Sequence, residues 1–173
     1  MPRYVRVRFV EERVQAVARM LDREAPETCD TLWENLPLEG DVYHSKRSGS
    51  DFYILPPAIE PDPGAENATV TPIAGDLTYA HVPAHSANVI PPALSEANPD
   101  GMGDLCVWYQ RDNHHPGDGL NLFARVVDNL GAFADTCGRL HREGYADETL
   151  RFERAEDFEE EDPKELHQQR TYM

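Results

Sequence analysis

Between Tyr4 and Val10 apolar and polar side chains alternate, with Val5, Val7 and Phe9 on one side and Arg6 and Arg8 on the other. A period of two marks a half-buried strand, because successive side chains leave a pleated backbone on opposite faces. Val14 to Leu21 supplies a partner, paired back across Glu11-Glu12-Arg13. The period then changes: Pro26 stands where a first helical residue needs no N–H partner, Glu27 suits the positive helix start, and Cys29, Leu32, Trp33 and Leu36 recur at helical spacing up to Pro37. Short apolar runs at Phe52–Leu55, Leu77–Ala80, Leu105–Tyr109 and Leu122–Val127 predict further strands, divided by stretches rich in Pro, Gly, Asn and Asp. Asp128 is placed to cap a second helix with the apolar face Leu130, Phe133, Ala134, Cys137 and Leu140, ended by Gly144, and Leu150–Phe152 supplies a last strand.

Two connections are long, Pro56–Pro72 and His81–Asp104. Connections of that length inside a compact domain carry function or motion. From Glu156 onward an acidic run lacks apolar periodicity, so the chain divides into one domain over 1–155 and an acidic, loosely ordered tail over 156–173. Many short strands with one early and one late helix predict a mostly β, α+β fold: a closed barrel of about eight strands with a helix over each end and long loops.

Charge narrows the partners. The chain has 32 acidic against 16 basic side chains, a net charge of −16, and only two lysines, Lys46 and Lys164. Such a chain repels phosphate backbones, and its densest basic stretch, Arg3, Arg6 and Arg8, has the spacing of a strand face, so nucleic acid is not an expected partner. An acid-rich, lysine-poor surface suits strong brine, where screening is short-ranged, and predicts a salt-adapted source. The N-terminus has no signal-like apolar run and no segment approaches the roughly 20 apolar residues of a span, so a cytoplasmic protein without a membrane partner is expected. Cys29, Cys106 and Cys137 form no CxxC pair and read neither as a disulfide framework nor as a thiolate metal site. Cys106, inside Leu105-Cys106-Val107-Trp108, reads as a buried, inert thiol.

Two segments sharpen the barrel. Ala25-Pro26-Glu27-Thr28-Cys29-Asp30-Thr31-Leu32 resembles the helix start of cyclophilins, and Phe123-Ala124-Arg125-Val126-Val127-Asp128-Asn129-Leu130 resembles their strand-to-helix passage, in the same order along the chain. Residues 3–154 as a whole resemble an uncharacterised prokaryotic family with a cyclophilin-like fold, through phrases such as Leu36-Pro37-Leu38-Glu39-Gly40-Asp41-Val42-Tyr43-His44. The resemblance implies the barrel and not the activity. Where cyclophilins carry their catalytic arginine and glutamine, the counterparts here are Ser45 and Ile73, so prolyl isomerisation is not expected.

Candidate chemistry falls into three sets. His44, beside Tyr43 and near Lys46, is the candidate general base, with a surface histidine as the plainer alternative. Tyr43, Tyr53, Tyr79, Trp108, Tyr109 and Asn121 lie on or at the ends of predicted strands, where a barrel opens, and suit a small polar ligand whose polar end Asp76 and Arg125 would hold; barrel packing and an ordinary ion pair account for the same residues. His81 and His85, with His114, His115 and Asp118, are the candidate ligands of a divalent ion such as zinc or nickel, although Pro83 denies the first pair a helix and solvated turns explain both clusters. No cofactor is required by the sequence, and a divalent metal is its one candidate. Trp33 and Trp108 with the proline-rich loops offer a surface for homo-oligomers. Two functions remain open: a protein binding a small polar metabolite at the barrel end, and a hydrolase or accessory subunit acting on a cyclic amide or ureido C–N bond.

Overall fold

The computed structural model describes residues 1–84, 86 and 90–160. Within them, the period-two segments become strands and the helical-period segments helices. In chain order these are β1 (Tyr4–Phe9), β2 (Val14–Met20), α1 (Pro26–Asn35), β3 (Leu38–Asp41), β4 (Tyr43–His44), β5 (Asp51–Ile54), β6 (Ala68–Thr69), β7 (Asp76–Val82), α2 (Pro92–Ala97), β8 (Met102–Trp108), β9 (Leu120–Asp128), α3 (Leu130–Glu143) and β10 (Thr149–Arg154). Eight of the strands have four residues or more, and β4 and β6 have two each.

The strands form one antiparallel sheet in the order β3-β10-β1-β2-β9-β7-β8-β5-β4, with β6 against β9. Its two end strands are consecutive in the chain: β3 passes through the buried Val42 directly into β4. Gly40 of β3 lies so near β5 that a Cβ there would sit 3.7 Å from Ile54 Cβ. Covalent continuity thus joins the sheet's edges, and the result is a nearly closed barrel without a long free edge. Its interior holds Val5, Val7, Phe9, Phe52, Ile54, Leu105, Val107 and Phe123.

A helix plugs the barrel from either end of the chain. The buried side of α1 is Thr28, Cys29, Thr31 and Leu32; that of α3 is Phe133, Cys137 and Leu140. Phe9 stacks on Phe133 at 5.0 Å between centroids and meets the edge of Phe52 at 5.4 Å. Pro26 opens α1 as its spacing predicts, but the helix has no local side-chain cap. Glu66, from the distant 56–72 connection, accepts the Glu27 and Thr28 N–H groups at 3.2 and 2.8 Å and the Thr28 hydroxyl at 2.7 Å. The cap of α3 is Asn129, in the left-handed region at φ 60°, and not Asp128, which is the last residue of β9. A third helix, α2, lies in the 81–104 connection; at six residues it is too short to show a helical period.

The first residues of the acidic tail are tied to the barrel. Phe158 packs edge-on against Tyr4 at 5.0 Å, the Tyr4 hydroxyl donates to Glu160 at 3.0 Å, and Arg6 donates to Asp157 at 2.8 Å. Residues 161–173 lie outside the described residues. Among the described residues no helix is long and apolar enough to cross a membrane.

Candidate functional site

Strand register places the site. In the β5–β8 ladder Asp51 opposes Trp108, Phe52 opposes Val107, Tyr53 opposes Cys106 and Ile54 opposes Leu105. On its other side β8 pairs with β7, setting Thr78 against Cys106 and Ala80 against Asp104, while Tyr43 of β4 opposes Tyr53. Alternation sends Phe52, Ile54, Leu105 and Val107 into the barrel and leaves Asp51, Tyr53, Asp104 and Cys106 on the outer face. That face is not open to water: β8 is buried at every residue.

The outer face forms the floor of a cleft of about 470 Å³ that is also lined by His44–Ser48, His115, Pro116 and Tyr145, with the His114 N–H donating to the Ser48 carbonyl at 2.8 Å to join the two loops. Asn113 holds the walls. Its Oδ1 accepts the Ser50 N–H at 2.9 Å, and its Nδ2 donates to the Pro72 and Gln110 carbonyls at 3.0 and 2.7 Å. Gly49, at φ +134°, passes so close to Asn113 that a Cβ there would overlap it; only glycine fits both the angle and the space.

Two carboxyl groups lie at the floor. Asp51 is 3% exposed and Asp104 9%. Burial, reinforced by the charge of Asp104, pushes the Asp51 carboxyl up to about 8, against the opposing pull of Ser45 and Cys106. Burial also raises Asp104, to about 6, and the Cys106 thiol limits that rise by donating to Asp104 Oδ1 at 3.1 Å. Near neutral pH the pair therefore holds one proton, on Asp51, beside an ionised Asp104. The Asp51 Oδ1 atom is buried and has no hydrogen-bond partner among the described residues. Burial and the two carboxyls hold the Cys106 thiol well above the thiolate range, so it acts as a donor and not as a nucleophile. Tyr53, raised by burial and the same carboxyls, stacks on Tyr43 at 5.6 Å and 25°.

His44 is on the opposite side of its strand from Tyr43 and 6% exposed. Its Nδ1 lies 2.6 Å from the Ser45 carbonyl and its Nε2 2.8 Å from the Tyr109 hydroxyl. A carbonyl only accepts, so Nδ1 carries the proton and Nε2 accepts from Tyr109. Burial lowers its pKa, and His141 stacks on it at 3.8 Å. Both ring nitrogens of the candidate base are thus occupied by the protein.

The remaining candidates are dispersed. Tyr43 and Tyr53 line the cleft, Trp108 is fully buried beside it with Nε1 donating to Thr78 at 2.9 Å, and Tyr109 serves His44. Buried Trp108 therefore presents no surface to a second copy, and Trp33 lies between the Arg3 and Arg154 guanidinium groups at 5.5 and 5.0 Å. Asp76 and Arg125 are a cross-strand ion pair at 2.9 Å, with the Ile73 N–H as a further donor to Asp76 at 3.0 Å. Asn121 pins the 56–72 connection, donating to the Gly64 carbonyl at 2.7 Å and accepting the Glu66 N–H at 2.9 Å. Tyr79 is inside the barrel, its hydroxyl without a hydrogen-bond partner among the described residues and burial raising its pKa to about 12. Of the metal candidates, His115 lines the cleft, His114 and Asp118 are exposed, His81 lies against Gly101, and His85 is outside the described residues. Among the described residues no group of three or more His, Cys, Asp or Glu is arranged to hold a metal ion. Sequence reasoning missed Asp51 and Asp104, each of which immediately precedes an apolar strand run and reads there as a loop residue.

This architecture has relatives. Residues 7–152 match the family described as protein of unknown function DUF3830. The chain belongs to that family. McbB, in a structure described as its complex with tryptophan, is similar with a TM-score of 0.62 at 14% identity over 91% of this chain and 46% of that one. The chain therefore spans about half the length of McbB. The hypothetical protein AF2241 from Archaeoglobus fulgidus aligns over 89% of this chain and 95% of its own, with a TM-score of 0.49 and 18% identity. No curated protein matches. The DUF3830 chain thus has a cyclophilin-like barrel, and Ser45 lines its cleft.

Proposed function

We propose that this DUF3830 protein binds a compact polar metabolite in the outer-face cleft, through an N–H-bearing group such as an amide or ureide. The observation that carries the reading is Asp51 Oδ1, a buried oxygen on the cleft lining without a partner among the described residues. Leaving such an atom unsatisfied costs about 1–3 kcal/mol, which a ligand N–H would offset. A protonated carboxyl beside an ionised one offers one donor and several acceptors, the complement of a group with both N–H and C=O. The stacked Tyr43 and Tyr53 supply a flat wall for a planar group. McbB is described with tryptophan, and from that the proposal takes only the size class of the ligand. Prolyl isomerisation is not assigned, because Ser45 and Ile73 cannot do what arginine and glutamine do.

The test is a thermal-shift screen in about 2 M KCl, chosen because salt screens this acidic surface, against small amides, ureides, their acids, and zinc and nickel salts. A ligand present at a hundred times its Kd stabilises by about 2.7 kcal/mol. The reading expects an amide or ureide to raise the melting temperature and Asp51→Asn to weaken its binding at least tenfold by calorimetry. An empty screen, or binding that ignores Asp51→Asn, overturns it. A metal shift abolished by His81→Ala or His114→Ala would point instead to those histidines.

The offset between the two carboxyls favours a second reading, in which Asp51 is the acid and Asp104 the base for cleavage of a cyclic amide or ureido C–N bond. Turnover with a bell-shaped pH profile, abolished in Asp104→Asn, is its signature; binding without turnover leaves the first reading alone standing.

A further inference from the structure

We propose that the ligand of this cleft also carries a carboxylate, held at the rim by Lys46 and Arg47; the inference rests on the reading of the cleft as a binding site and adds the ligand's charge. The chain has a net charge of −16 and two lysines. One of the two, Lys46, stands next to Arg47 on the lining of the cleft, which His115 lines as well. Arg3, Arg6, Arg19, Arg125, Arg139 and Arg151 each lie within 4 Å of an acidic side chain from elsewhere in the chain. Lys46 and Arg47 have no such partner among the described residues, and both are exposed. Arg8, Arg13, Arg23, Arg142 and Arg154 also lack such a partner there, but of all these cations only Lys46 and Arg47 line the cleft that Asp51 lines.

The polarity runs in one direction, from the carboxyl pair at the floor to the adjacent cations at the rim. A neutral amide would use only the floor. An inorganic anion would use only the rim. A molecule with an N–H-bearing end and a carboxylate end uses both, and Arg47 can take a carboxylate through two parallel N–H bonds while Lys46 adds a point charge. His115, whose pKa burial and His114 both lower, is neutral there and contributes a hydrogen bond without net charge. The cations also offset, locally, the repulsion that the rest of the surface exerts on an approaching anion. The ligand class is therefore a small amido or ureido carboxylic acid.

Matched probes test this in the intact protein at fixed high salt. N-carbamoylglycine and its neutral amide differ only in the carboxylate; succinamic acid and succinamide form a second pair, and methyl phosphate serves as an anion without an N–H end. By calorimetry the acids should bind wild-type protein at least tenfold more tightly than their amides, and that advantage should vanish in the double variant Lys46→Gln/Arg47→Gln with the amides' affinity unchanged. Lys46→Arg should retain it. Acids and amides of equal affinity, an advantage that survives the double variant, or methyl phosphate binding as tightly as the acids overturns the carboxylate assignment while leaving the cleft as a binding site. If no acid or amide binds, both readings fall together.

Discussion

The two faces of β5 and β8 carry the same burial and opposite chemistry. Inward, Phe52, Ile54, Leu105 and Val107 are shielded by the barrel's own core. Outward, Asp51, Tyr53, Asp104 and Cys106 are shielded by separate wall segments. The inner face obeys the rule that buried groups are apolar. The outer face breaks it with two carboxyls that no arginine neutralises, whereas the equally buried Asp76 has Arg125 directly opposite. A protein that can pair one buried aspartate and leaves two others without a basic partner among the described residues has retained a buried polar cluster, and such clusters concentrate where ligands bind.

The difference can be broken from the inside first. Phe52→Ala removes a ring that touches Phe9, His44, Tyr109 and Tyr145; chemical denaturation should show a loss of about 3–5 kcal/mol. On the outer face, the expected sign depends on pH. A carboxyl whose pKa rises on folding keeps its proton in the native state after the unfolded chain has released it. Its favourable contribution is complete below about pH 4, the ordinary aspartate value, and is lost as pH climbs through about 8. Wild-type stability should therefore fall between pH 5 and 8.5 by on the order of 2 kcal/mol more than that of Asp51→Asn, read from denaturation midpoints at each pH. Parallel curves would contradict the shared proton.

Smaller perturbations sharpen the contrast. Asn113→Ala frees the Ser50 N–H and the Pro72 and Gln110 carbonyls. It should cost roughly 1–2 kcal/mol and speed amide exchange in the two wall segments while leaving β1 and β10 protected. Cys106→Ala deletes the thiol donor to Asp104 at a cost of about 1 kcal/mol; carboxyl resonances followed by NMR should show Asp104 titrating at higher pH than in the wild type. An unchanged titration would mean that the thiol does not support that carboxylate.

Much of the scaffold was legible in one dimension. β1, β2, α1 and α3 follow from alternation or helical spacing within windows of ten residues or so; of the predicted helix faces Cys29, Leu32, Leu36, Phe133, Cys137 and Leu140 are buried, Trp33, Leu130 and Ala134 are half-buried, and Thr28 and Thr31 are buried although the apolar spacing omitted them. Less legible were the elements set by distant partners. β4 and β6 are two residues each, the α1 cap comes from Glu66, and α2 is a single short helix inside a proline-rich connection. The aromatic set is a mixed case. Tyr43 and Tyr53 share a cleft because β4 and β5 pair with those residues opposite, while Tyr79, two pairing positions away on β7, points into the barrel.

By itself the sequence determined the strand-rich class, the two main helices and the net charge of −16, since each depends on composition or on neighbours a few residues apart. Only the tertiary structure decided that Asp51 and Asp104 line one cleft, that Cys106 lies on the same face between them, and that Lys46 and Arg47 line that cleft too. The reason is register. Which residue of β5 faces which of β8 is set by hydrogen bonding between segments far apart in the chain, and a slip of β5 by one residue would have turned Asp51 into the core and away from the face of Asp104.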